Sequence, residues 1–259
     1  RALLFSVQLD FTVTEKVSKT IKKMAPHLHD KIDNNWVISR EVISKEFLKA
    51  FDANPINSLK LFDEHGLLEI LFPDIATLQS CEQSPPYHLE GNVLNHIFYA
   101  FEQTESKEYK SYFPKPISLM TKLGILFHDV GKSSTQSTDD DGRKHFKGHA
   151  STGAELTKKV CKNMSLGSSE YYPFKCDALS WIVKHHLFSI EHQKESRSKI
   201  ELEQLFFSDK YPSESLLQVM LADLMGSKTG DKIRSTEPFE ALWAQLKEMA
   251  PNGELPAPL

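Results

Sequence analysis

The chain has 259 residues, 40% of them hydrophobic and 25% charged, with a formal net charge of −4. This is the composition of an ordinary folded protein with a real core, and its acidic balance excludes a surface coated with Lys and Arg for nucleic acid, local patches aside. The longest apolar run, ISLMTKLGILF, falls short of the ~20 residues of a membrane span, and no basic stretch leads into an apolar signal segment; a cytoplasmic protein without membrane contact is expected.

Cys81, Cys161 and Cys176 are scattered without paired spacing and read as small buried thiols. Arg1 stands where an initiator Met would, so the chain reads as a portion of something longer.

Glycine is sparse and apolar residues recur at three- and four-residue spacing, which predicts a nearly all-α fold. In chain order, TEKVSKTIKKM places Lys16, Lys19, Lys22 and Lys23 at helical spacing, a solvated face that can also track a phosphate backbone. Ser39 is positioned to cap REVISKEFLKAF, and Asn54-Pro55 opens a helix that Gly66 closes. Turn formers crowd SCEQSPPYHLEGN (80–92), where we place the boundary between residues 1–82 and a second helical domain at 83–235.

NVLNHIFYAF then carries His96 at the border of its inward face. PISLMTKLGILFHDVG reads as a buried helix that Pro116 begins and a left-handed Gly131 ends. The polar stretch from Lys132 to His149 is long for a structureless connection and suggests a functional loop. DALSWIVKHH ends on His185 and His186, SLLQVMLADLM puts Asp223 on its apolar face, and 236–259 is a last helix with a frayed Pro-rich tail.

His-Asp is weak evidence by itself: 11 His and 14 Asp in 259 residues give about 0.6 such pairs by chance. Two occur. His29-Asp30 follows Pro26 in a polar segment and reads as a solvated turn, whereas His128-Asp129 ends an apolar helix. A buried carboxylate beside an imidazole is costly unless a charge or a metal compensates it. His96, His128, Asp129 and Asp223 therefore form a candidate metal site. Two imidazoles and two carboxylates suit Mn, Fe, Co, Ni, Zn or Mg with positions open to water and substrate. His149 and His186 can hold a second ion or donate to phosphate oxygens or a leaving group, and Lys132 can balance charge on a transferred group.

The order His96, HDVGK (128–132), His149, His186, Ala222-Asp223 resembles the HD superfamily of metal-dependent phosphohydrolases. Within it, YHLEGNVLNH, HDVGKSSTQSTDDDGRKHFKGHASTGAEL and ADLMGSKTG resemble the HD domain of bacterial tRNA nucleotidyltransferases, the CCA-adding enzymes related to poly(A) polymerases. Upstream, RALLFSVQLDF through LFPDI is similar to that family's neck and RNA-binding helices.

The resemblance implies an all-α neck followed by an HD domain, one divalent ion or two, RNA (tRNA) or small phosphoesters as partners, substrate contacts from Lys132, His185 and Lys228, and a nucleotidyltransferase head before Arg1. The family commonly carries Arg where this chain has Leu4, Gln8 and Val42. The expected activity is hydrolysis of a phosphodiester or phosphomonoester, with 2',3'-cyclic and terminal phosphates of RNA as candidates. The alternatives are an RNA-binding module with a structural or vestigial HD site, or a nucleotidase of the wider superfamily, which leaves residues 1–80 unexplained. Oligomeric state stays open.

Overall fold

In a computed structural model, described for residues 1–85, 88–168, 173–208, 210–229, 232–233 and 235–250, the fold is all α. The frayed-tail expectation and part of the 80–92 turn lie outside these residues. The first region comprises α1 (Ala2–Leu9), α2 (Glu15–Met24), α3 (Arg40–Ala53), α4 (Pro55–Glu64), α5 (Leu67–Leu71) and α6 (Pro73–Ala76).

After the turn segment come α7 (Val93–Gln103), α8 (Lys107–Tyr112), α9 (Leu119–Phe127), α10 (Lys132–Thr135), α11 (His149–Met164), α12 (Cys176–His185), α13 (Phe188–Lys194), α14 (Lys199–Phe206), α15 (Ser213–Gly226) and α16 (Glu237–Met249). Three antiparallel two-stranded hairpins interrupt them: β1–β2 (Lys31–Ile32, Asn35–Trp36), β3–β4 (Ser137–Thr138, Lys144–His145) and β5–β6 (Lys228–Thr229, Lys232–Ile233).

Local chemistry sets most helix ends. Asn54 accepts from the Asn57 N–H at 3.0 Å ahead of Pro55, and Gly66 leaves α4 at φ +69°. Asn92 starts α7 in the same way, accepting from Asn95 N–H at 2.9 Å. Ser198 and Glu201 form a capping box on α14.

Three expectations are corrected. α9 starts at Leu119, where the Ser118 hydroxyl accepts from Thr121 N–H, so Pro116 lies outside the helix. Ser39 sits at the start of α3 without a side-chain cap bond. Gly131 has φ −76° and is no left-handed cap. Its missing side chain is needed because a Cβ there would lie 2.2 Å from the His149 carbonyl oxygen. The Lys132–His149 stretch, long for a structureless connection, holds α10 and the β3–β4 hairpin.

One apolar core runs from Leu3 to Leu246. In its first part Phe47 packs on Phe51 and Phe72, with centroids 5.3 and 4.5 Å away. At its centre lies α15, buried at every residue except Glu214. Such a helix is wrapped on all sides, here by α7, α9 and α12, with α11 alongside α12. α7 comes close enough that a Cβ on Gly226 would touch the Ala100 backbone at 2.9 Å. This arrangement brings polar residues of α7, α9, α11, α12 and α15 into one interior.

Candidate metal centre

His96 is buried on α7, His128 continues the last turn of α9, Asp129 follows it, and Asp223 lies near the end of α15. One ligand-capable atom from each falls within 4.8 Å of the others. His96 Nε2 is 3.0 Å from Asp223 Oδ1 and 3.2 Å from His128 Nε2, while His128 Nε2 is 3.2 Å from Asp129 Oδ2.

The other oxygen of Asp129 faces a second group. Its Oδ1 is 3.3 Å from His149 Nε2 and 3.7 Å from His186 Nε2, and these two nitrogens are 3.3 Å apart. All six expected residues of these two groups are thus brought together, and Asp129 stands between the groups.

Each imidazole turns Nε2 inward, and the reason lies on its other nitrogen. His128 Nδ1 donates to Ile125 O (2.8 Å), His149 Nδ1 to Phe146 O (2.8 Å) and His186 Nδ1 to Val183 O (2.7 Å), each a carbonyl three residues back. His96 Nδ1 instead faces Glu90 Oε1 at 3.2 Å, short of a well-aligned hydrogen bond. An Nδ1–H held by oxygen leaves the Nε2 lone pair free for a cation. Asp129 Oδ2 is also buried without a well-aligned hydrogen bond; Lys132 Nζ is 2.6 Å away. A divalent ion would satisfy these converging lone pairs, so the donor set fits one.

Electrostatics follow from burial and crowding. Burial alone would lower the His128 pKa, yet the Asp129 and Asp223 carboxylates push it up to about 10. His96 moves up as well, against its burial, through Asp223 and Glu90. Both carboxyls lie well below the usual range despite their burial, Asp129 through His128 and Lys132, Asp223 through His128 and His96. His186 falls to about 3, by burial and then by the charge of His128.

Lys132 is buried, its Nζ also donating to Gln83 Oε1 at 2.7 Å. Above it opens a cleft of about 650 Å³ reached by Asp129, His149 and Asp223, with Arg143, Lys144, Lys147 and Lys194 on its walls.

Two expected substrate contacts do not reach this cleft. His185 lies against Trp181 (5.1 Å) and lines a different cavity, because one residue along a helix turns a side chain by ~100° away from its neighbour His186. Lys228 Nζ lies 3.4 Å from the Tyr99 ring centroid, held there by cation–π attraction, while its backbone N–H donates to Glu90 Oε2 at 3.0 Å. Lys16, Lys19, Lys22 and Lys23 are exposed on α2, Lys19 pairing with Glu15 at 2.7 Å. His29-Asp30 is exposed and belongs to none of the metal-capable groups among the described residues.

Sequence reasoning missed Glu90. Its buried carboxylate accepts from His88 Nδ1 (2.8 Å) and Lys228 N–H and faces His96, interactions that hold its pKa down although burial opposes them. The signal was present as a His-x-Glu pair just before the His96 helix, in a segment read as a turn and as part of the resemblance but given no role for its carboxylate.

No helix among the described residues is long and apolar enough to cross a membrane. The family model "HD domain" matches residues 116–225, and "Probable RNA and SrmB- binding site of polymerase A" matches residues 10–78. His96 falls outside both matches, so its place in the centre rests on geometry. The chain is similar to the A-adding tRNA nucleotidyltransferase of Deinococcus radiodurans, 25% identical over 262 residues, 99% of this chain and 55% of that protein. It is also similar to the CC-adding tRNA nucleotidyltransferase of Thermus thermophilus (27% over 172 residues, 66% and 35%) and the multifunctional CCA protein of Neisseria meningitidis serogroup A (24% over 257 residues, 96% and 55%). The chain spans about half the length of these relatives, or less. The chain thus joins a segment that matches the polymerase A RNA-binding model to one that matches the HD-domain model, and the relatives it is similar to are tRNA nucleotidyltransferases.

Proposed function

We propose that the centre is a metal-dependent phosphohydrolase site acting on phosphoesters at RNA ends, 2',3'-cyclic or terminal phosphates, within a tRNA nucleotidyltransferase-like protein. The observation that carries this reading is the convergence of four histidine Nε2 atoms and two carboxylates, each Nδ1 facing an oxygen that fixes its tautomer. His96, His128, Asp129 and Asp223 would hold one ion, and His149 and His186, sharing Asp129, a second. When bound, such ions lower the pKa of water and polarise a phosphoryl oxygen.

The protein's own groups do the rest. Lys132, 2.6 Å from Asp129, balances charge on the reacting phosphate, and the cleft cations orient it. Within this reading residues 1–82 are the neck and RNA-binding region, with Lys16, Lys19, Lys22 and Lys23 tracking phosphates; 83–235 are the hydrolase domain and 236–259 a terminal helix and tail. The protein works in the cytoplasm, and nucleotide addition belongs to another part of the full-length protein.

The test is hydrolysis of 2',3'-cyclic nucleotides and bis-nitrophenyl phosphate with Mn, Ni, Co or Mg. Activity without metal, or unchanged in Asp129→Ala, overturns the proposal. Failure to retain any metal after dialysis favours an RNA-binding module with a vestigial site instead.

A further inference from the structure

A second cavity, of about 600 Å³, lies across α13 from the metal cleft. Successive residues open onto opposite sides. His186 joins the metal centre and Leu187, Ile190 and Lys194 line its cleft, whereas His185, Phe188 and Glu191 line the second cavity. A single seven-residue helix, about 10 Å thick, is therefore the partition between the two.

The second cavity combines an aromatic platform with cations. Tyr211 on its wall stacks on Trp181, with ring centroids 4.5 Å apart and planes within 7°. Lys210 Nζ lies over the Tyr211 ring, 5.0 Å from its centroid, on a flexible side chain that an incoming base would displace toward its phosphate. Arg197 lines the same cavity, its backbone N–H donating to His192 Nδ1 at 2.9 Å, and its guanidinium Nε is buried without an acceptor. Two acids share the wall. Glu201 is engaged by the Ser198 N–H and hydroxyl at 2.9 and 2.8 Å, and Glu191 is exposed at the margin. A braced aromatic ring flanked by guanidinium and ammonium groups is how proteins seat a base of single-stranded nucleic acid and its phosphate. Lys194 on the cleft wall and Arg197 three residues later place cations on both sides of the partition.

We propose that this cavity is a nucleotide subsite for a single-stranded RNA whose terminal phosphoester occupies the metal cleft, one base stacking on Tyr211 and its phosphate meeting Arg197 and Lys210. The subsite rests on the hydrolytic reading above. A mononucleotide would use the cleft alone; a longer strand crosses α13 and gains the second cavity.

The experiment compares a 2',3'-cyclic mononucleotide with single-stranded RNAs of increasing length that end in the same cyclic phosphate, using the whole chain with Mn. The expected result is a kcat/KM that rises with length by about tenfold, the scale of one stacked base. Tyr211→Ala and Arg197→Ala should each remove that gain while leaving mononucleotide kinetics and metal content unchanged, and Tyr211→Phe should retain it. Equal kcat/KM at every length, or a gain that survives both alanine variants, overturns the subsite. A separate arm measures anisotropy of a fluorescein-labelled RNA with a 3'-hydroxyl end. Tyr211→Ala should weaken its binding about tenfold, and unchanged affinity overturns the subsite even if no substrate is hydrolysed, an outcome that would itself sink the hydrolytic reading.

Discussion

The metal centre and the first three helices use polar and apolar groups in opposite ways. In the centre, imidazoles and carboxylates are buried and oriented by fixed neighbours. On α2 and the β1–β2 hairpin the lysines are solvated, and among the described residues every exposed large apolar side chain except Leu89 and Ile200 lies between Phe5 and Val42. Groups that must bind a small ion are set by the fold before the ion arrives. Groups that meet a large polyanion stay hydrated and depend on number and spacing. Substitutions should therefore act sharply in the metal centre and gradually across the first three helices.

The largest effect is expected at Asp129, which faces both histidine pairs. Asp129→Ala should lower hydrolysis by roughly a thousandfold or more and remove bound metal in elemental analysis; a variant that keeps both would show that the carboxylate is structural. Next is Glu90, which touches no substrate but faces His96. Glu90→Ala should weaken metal binding by about 10- to 100-fold in calorimetric titration, Glu90→Gln by less. Equal affinity in all three proteins would mean that Glu90 serves only to anchor Lys228.

Proton competition should follow. With the His128 pKa raised to about 10, its stabilising contribution in the metal-free protein is whole below pH 6.5 and is lost as pH rises toward 10. His186, lowered to about 3, stays neutral while an unfolded chain takes up a proton, so stability is also lost as pH falls from 6.5 toward 3. Urea midpoints of metal-stripped protein should decline on both sides of pH 6.5, and bound metal should abolish the alkaline decline by displacing the His128 proton. A flat alkaline limb without metal would contradict this. The smallest effect is on α2, where replacing one lysine, such as Lys22→Gln, should weaken tRNA binding a few-fold and reduce the salt slope by about 1. A loss that differs sharply between RNA sequences would argue against simple phosphate contact.

The contrast also explains what could be read from the chain beforehand. The helices and the burial of His96, His128 and Asp223 follow from periodicity, because an ionisable residue on an apolar stripe is conspicuous, and the start at Asn54 follows from its capping side chain before Pro55. Glu90 was hidden because it acts from a loop, where no period marks its direction. Gly131 was misread because its need for no side chain comes from the carbonyl of His149, 18 residues away and invisible to local turn rules. His185 and Lys228 show the same limit, since neighbourhood in sequence places a residue near a site without aiming it there.

Asp129 has a last consequence. Its two oxygens answer to different helices, Oδ2 toward His96 and His128, Oδ1 toward His149 and His186. An ion on one side would engage that carboxylate and compete for it with Lys132, so the two sides would depend on the same side chain. Coupling of this kind is reciprocal and equal in both directions. Where both sides take an ion, their occupancies are linked through this one side chain, so a change at either histidine pair is felt at the other.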